Sequence, residues 1–188
     1  MPTQSSEFGE LPIPAAVITD VADEQNIDRE RLVLALVSVH DATASGADAI
    51  VQHYDDEETP ESRSGADGRA AVVFVDEEQW AQLPVTLSAD EEAAVKAVHA
   101  AYARELGADE ETVETTTPLV VPSKAVGELI RAGLSRRQAE IQVLRRQGYD
   151  RSEIADTFGV ADSTVRVHVH RIERKVEDAK RLLELVEE

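Results

Sequence analysis

The chain has 188 residues, 38 of them acidic and 19 basic, for a formal charge of −19. That length allows one domain with a good core or two small ones, and a hydrophobic content of 42% is too high for an acidic disordered tail. The absence of cysteine excludes disulfides and thiolate metal sites. No apolar run reaches the roughly 18 residues that a membrane span needs. The first residues, MPTQSSEFGE, lack the basic and apolar regions of a signal peptide, so a cytoplasmic protein without a membrane partner is expected. The acidity is uneven. Residues 1–122 carry 26 acids and 6 bases, whereas residues 123–188 carry 12 and 13. Only the rear third escapes strong repulsion from a polyanion.

In chain order, residues 1–10 read as a polar, disordered tail. Leu11 to Thr19 is apolar but holds Pro12 and Pro14, which suits an extended arm or short strand better than a helix. Asp28 is placed to cap a helix whose interior, RERLVLALVSVH, is apolar nearly all round, the mark of a buried helix or a core strand. A second apolar segment spans Ala47 to Tyr54. Residues 55–69 hold six acids, two glycines and a proline with no apolar period, and read as a loop. AAVVFV at 70–75 is a short β-branched strand. Ser88 with Glu91 forms a capping box ahead of Ala94, Val95, Val98, Ala101, Tyr102 and Leu106 at helical spacing, and Gly107 ends that helix. The acids, threonines and two prolines of 108–122 suggest a linker after an acidic amino-terminal unit, 11–107. Ser123 then caps a short helix with Val126, Leu129 and Ile130 inward.

From Leu134 the pattern sharpens. Ser135 and Gln138 form one capping box, Asp150 and Glu153 another, and Gly148 and Gly159 break the chain after each helix. Ala139, Ile141, Val143 and Leu144 face inward on the first helix, while Arg136, Arg137, Arg145 and Arg146 are expected outward. Ile154, Ala155 and Phe158 line the second, and Val160 pins the turn. Asp162 is expected to cap the third helix, whose inner stripe is Val165, Val169 and Ile172. Two short helices and a longer third in this arrangement make a helix-turn-helix, the shape that places a helix in the DNA major groove.

Residues 134–176 resemble the LuxR-type helix-turn-helix, and nearly as closely region 4 of bacterial sigma factors. The residues that carry the resemblance are Leu134-Ser135, Arg137-Gln138, Glu140, Gly148, Glu153-Ile154-Ala155, Gly159-Val160, Ser163-Thr164-Val165, His168 and Lys175. The resemblance implies that the third helix reads bases through Arg166, Val167 and His170. It also implies that Thr164 and basic residues nearby hold phosphates; Ser163, Arg171 and Arg174 complete the candidate DNA-binding set. His170 departs from the lysine or other polar residue common in that family. The arginine-to-lysine ratio of 15 to 4 and the carboxylate-rich composition resemble proteins of salt-accumulating haloarchaea.

The third helix also continues past the motif. Val165, Val169, Ile172, Val176, Ala179, Leu183 and Val186 alternate in steps of four and three. Val176, Ala179, Leu183 and Val186 have no partner inside a helix-turn-helix, so a dimer seam or docking on the amino-terminal unit is expected. The scattered His40, His53 and His99 have no metal-ligand spacing, and His168 and His170 point apart on a helix. No catalytic constellation, cofactor motif or metal site is expected. The expected fold is mainly α, with a mostly helical α(+β) front and a carboxy-terminal helix-turn-helix over 123–188. The expected function is sequence-specific transcription regulation through double-stranded DNA, with a homodimer and the transcription machinery as further partners. The alternative is a protein–protein adaptor using the helix-turn-helix for docking.

Overall fold

The computed structural model describes residues 11–45, 63–65 and 67–187. The 1–10 tail, the segment Ala47 to Tyr54, His53 and most of the 55–69 loop lie outside the described residues. Pro14, at φ −56° and ψ 136°, closes an extended arm, and α1 (Ala15–Glu24) starts directly after it. The extended reading of 11–19 therefore holds only to Pro14. Val17, Ile18, Val21 and Ala22 form a buried stripe two turns long, and its second turn lies beyond Thr19. A proline ahead of the first turn forfeits no helical hydrogen bond. The next helix, α2 (Arg29–Ser45), opens on Asp28, whose carboxylate accepts the Arg31 N–H at 3.0 Å. It buries Leu32, Val33, Ala35, Leu36 and Val39, so the apolar run is a core helix and not a strand.

A three-stranded antiparallel sheet comes next. β1 (Arg63–Ser64) pairs with β2 (Ala70–Val75), and β2 with β3 (Thr117–Pro122), with Ala70 opposite Pro122 and Val75 opposite Thr117. All residues of β2 and β3 are buried. This corrects the linker expected at 108–122: the segment is α5 (Glu110–Thr115), capped by Asp109, followed by β3. The acids of the segment sit on the helix, and its prolines are tolerated because β3 is an edge strand, where a missing N–H breaks no second ladder.

Between β2 and α5 lie α3 (Glu77–Ala81) and α4 (Ala89–Glu105), each opened by a capping box, Asp76 with Gln79 and Ser88 with Glu91. Helices α1, α2 and α4 pack on one another, and α2 and α4 on β3. Their apolar faces merge into one core with Phe74, Trp80 and Tyr102. Four helices complete the chain: α6 (Lys124–Arg131), α7 (Arg136–Arg146), α8 (Arg151–Phe158) and α9 (Asp162–Glu187). The result is mainly α with a small sheet, ending in a helix-turn-helix with a long last helix. No helix among the described residues is long and apolar enough to cross a membrane.

The two units are joined without slack. Ser123 donates its N–H to the Arg69 carbonyl at 3.0 Å and caps α6 at once. Val126 of α6 then packs on Ala139 and Val143 of α7. Beside this cluster lies a buried carboxylate, Glu140, 1% exposed. His40 Nε2 of α2 is 3.6 Å from it, Arg136 Nε 3.7 Å and Arg137 Nη1 3.4 Å, and Arg136 also reaches Asp41. Burial alone would push the Glu140 carboxyl up. The close approach of His40 and the charges of Arg137 and Arg136 outweigh that and hold it below the usual carboxylate range. Arg136 and Arg137, expected outward, are thus folded down, because a buried charge is tolerated only with partners. Arg137 also lies 4.0 Å from the Phe158 ring centre and Arg69 lies 5.0 Å from it. At Gly68, with φ 64°, a Cβ would stand 2.1 Å from the Gln147 side chain, so the β1–β2 turn sits hard against the end of α7.

Candidate DNA-binding interface

Local sequence sets each helix boundary of the site. The Ser135 N–H donates to Gln138 Oε1 at 3.2 Å, and the Asp150 N–H to Glu153 Oε2 at 2.7 Å, each answered by the reciprocal bond of a capping box. Gly159 adopts φ 61° and ψ 31°, the left-handed conformation that closes α8, and its N–H donates to the Asp156 carbonyl. The next N–H, of Val160, returns to the Ala155 carbonyl at 3.0 Å and carries that side chain onto the core. Asp162 does something other than the expected capping. It is the first residue of α9, and its carboxylate accepts from Arg151 Nε at 2.6 Å, tying α8 to α9 across the turn.

Ile141 and Leu144 of α7, Ile154, Ala155 and Phe158 of α8, and Val165 and Ile172 of α9 form the core of the motif. With Val165 and Ile172 turned inward, the helical period turns the other face out. Ser163, Thr164, Arg166, Val167, His170, Arg171 and Arg174 are all exposed, as their positions predict, and no other element covers them. They follow one another at steps of one, two and three along the first three turns, with a shallow groove of about 470 Å³ between Arg166, His170 and Arg174.

Three neighbours escaped the sequence reading or take a different part. Glu173 lies within the same groove and is met by Arg145 Nη2 of α7 at 4.0 Å. The Lys175 Nζ donates to the Gly133 carbonyl at 2.6 Å, so this motif lysine fastens α9 to the α6–α7 turn. His168 is partly buried, and burial first, then the charges of Arg137 and Arg171, push its imidazole below the ordinary histidine range. Glu173 stands one turn from His170 and carries no pattern signal. Only the fold brings Arg145 beside it.

Beyond the motif, α9 is bare. Val176, Leu182, Leu183, Leu185 and Val186 are between 47% and 72% exposed, and Ala179 is exposed as well. The expected docking of this seam on the amino-terminal unit is therefore not what the fold provides: that unit grips α7 and α8. No cluster of three or more histidine, aspartate or glutamate side chains able to hold a metal ion occurs among the described residues. His99 is buried within the front unit, its ring centre 6.0 Å from that of Trp80. Burial first, then the charge of His40, bring the His99 imidazole down to about 3, despite its bond to the Pro118 backbone.

Comparison with known proteins divides the chain along the same lines. Residues 11–126 match a domain of unknown function (DUF8048), and residues 132–186 match bacterial regulatory proteins of the luxR family. The first match spans more than half of the chain, which therefore belongs to the DUF8048 family. No curated protein and no solved structure matches the chain. The carboxy-terminal unit is a LuxR-type helix-turn-helix, the DNA-binding domain of transcription regulators.

Proposed function

We propose that this DUF8048 protein is a sequence-specific transcription regulator of the cytoplasm that inserts the first three turns of α9 into the major groove. Arg166, Val167 and His170 read base edges; Ser163, Thr164, Arg171 and Arg174 hold flanking phosphates. The observation that carries this reading is the uncovered outward face of α9: the buried apolar contacts that fix the helix, through Val165 and Ile172, lie on its opposite side. An arginine there can bridge two acceptors of a guanine, which discriminates against the wrong base by about 1–3 kcal/mol.

The bare seam Val176, Ala179, Leu183 and Val186 pairs with the same seam of a second copy. A continuous helix that reads DNA at one end and pairs at the other is the geometry of basic-zipper proteins. Pairing also answers a charge problem. Each phosphate contact loses about 0.9 log units of affinity per decade of salt, and the acidic front adds repulsion. Two linked half-sites restore affinity through effective concentration. An acidic, lysine-poor surface suits a salt-rich cytoplasm, where that compensation is needed most. The acidic front unit is left to sense a signal or to contact the transcription machinery.

Gel-shift titration of recovered genomic fragments tests the reading. Wild-type protein is expected to select a two-fold symmetric site, with Arg166→Ala and His170→Ala weakening that site and leaving random DNA binding nearly unchanged. Binding no better than random DNA at any salt sinks the proposal, and loss of a protein partner in its place makes the helix-turn-helix a docking module. Sedimentation of Leu183→Glu with Val186→Glu tests the seam: a wild type that is already monomeric at micromolar concentration in 2 M KCl ends the dimer.

A further inference from the structure

The DNA-facing stretch 163–174 of α9 holds a single carboxylate, Glu173. An acid is costly there, since it repels the phosphates that this face must approach. Its place on the helix is nonetheless among the base readers. Seven residues, about two helical turns, separate it from Arg166, so the two side chains leave the helix within about 20° of each other. Glu173 lines the same outward groove as Arg166, Val167, His170 and Arg174, and its side chain is 61% exposed. Arg145 Nη2 of α7 stands 4.0 Å from it, beyond hydrogen-bond reach, and so attracts the carboxylate by charge while leaving its lone pairs open. Asp162, at the start of the same helix, is the contrast: Arg151 Nε holds it at 2.6 Å.

A carboxylate only accepts hydrogen bonds, and base edges in the major groove answer that demand unequally. Cytosine offers its N4 amino donor. Guanine presents two acceptors, thymine an acceptor and a methyl group, and adenine sets its donor beside the N7 acceptor. A carboxylate is therefore drawn to cytosine and repelled by guanine and thymine, so it selects by penalty as well as by contact.

We propose that Glu173 is a specificity-determining residue of α9, accepting from the N4 amino group of a cytosine at one base pair of its site. The proposal rests on the reading of α9 as the major-groove helix and adds a base to it. Selection of bound sequences from a randomised DNA library, with the full chain, tests it. Wild-type protein is expected to enrich a motif with cytosine fixed at one position. Glu173→Gln keeps the shape and removes the charge, and an amide both donates and accepts, as the adenine edge requires. At that position cytosine is expected to lose at least about tenfold against adenine, with the other preferences kept. The same variant is expected to bind random DNA more tightly, because a repelling charge is gone. Glu173→Ala removes the preference at that position and creates none, while Arg166→Ala relaxes a different one. The side chain is exposed, so the urea midpoint of both Glu173 variants stays within error of wild type. A Glu173→Gln motif that matches wild type within about twofold at every position overturns the proposal and leaves the reading of α9 intact. A uniform loss across all positions also overturns it, since that is the mark of a structural role. A wild type that enriches no motif overturns both readings.

Discussion

The two units of this chain solve the problem of burial differently. The front unit merges twenty-six buried side chains, among the described residues, into one apolar core and keeps most of its carboxylates in water. The helix-turn-helix has seven in its main cluster and buries a carboxylate, Glu140, at the seam between the units. A core that small contributes little net stability on its own. The lesson is that the DNA-reading unit leans on the junction: the stacked Arg137 and Arg69 on Phe158, and the two arginines and His40 around Glu140, do for α7 and α8 what further apolar residues would otherwise do.

The largest expected effect is at Phe158. Phe158→Ala removes the centre of the small core and both guanidinium contacts, and is expected to cost about 3–5 kcal/mol in urea unfolding. A loss below about 1 kcal/mol means that the small core is not what holds α8, and the contrast collapses. Next comes Glu140→Gln, which keeps the shape and removes the charge facing His40, Arg136 and Arg137, at an expected cost of about 1–3 kcal/mol at pH 7. Glu140 has a depressed pKa in the fold, so its contribution is full above the unfolded value of about 4.3 and fades as pH falls through the folded value. Stability of the variant should accordingly fall less than that of the wild type between pH 5 and acid. His99 acts in a wider window. Its imidazole is neutral in the fold down to about 3, whereas the unfolded side chain takes up a proton below about 6.5. The unfolded state binds more protons between those values, so wild-type stability declines from pH 6.5 toward pH 3. A His99→Gln curve that declines just as steeply above pH 5 assigns the effect elsewhere.

Two smaller effects separate reading from folding. Arg166→Ala is expected to cost about 1–3 kcal/mol of specific DNA binding, read by fluorescence anisotropy, with the urea midpoint unmoved. Leu185→Lys on the bare end of α9 should change the stability of an isolated copy by no more than about 0.5 kcal/mol, because the residue is 64% exposed in its own chain. A larger change in dilute protein reveals a contact within one chain and weakens the case for a second copy.

Legibility followed the range of the interactions. The capping boxes at Ser88, Ser135 and Asp150, the strand at 70–75 and the turn at Gly159 are set within four residues, so the pattern alone places them. The strand at 117–122 was hidden because its partner lies more than forty residues earlier, and threonine, valine and proline between acids look like a linker without it. Arg136 and Arg137 follow the same logic: on a helical wheel they are solvent-facing, and only the presence of a buried Glu140 folds them down. Asp162 occupies a capping position by spacing, but Arg151, delivered by the turn, takes its carboxylate.

By itself, then, the sequence determined the helix-turn-helix, its inward stripe and the outward set from Ser163 to Arg174, because helix period and capping are local rules. Tertiary structure decided what the front unit does to that motif. It placed His40 against Glu140, Arg69 against Phe158 and Arg145 beside Glu173, all pairings of residues far apart in sequence. Charge burial is settled by which partners arrive, and no local pattern records their arrival.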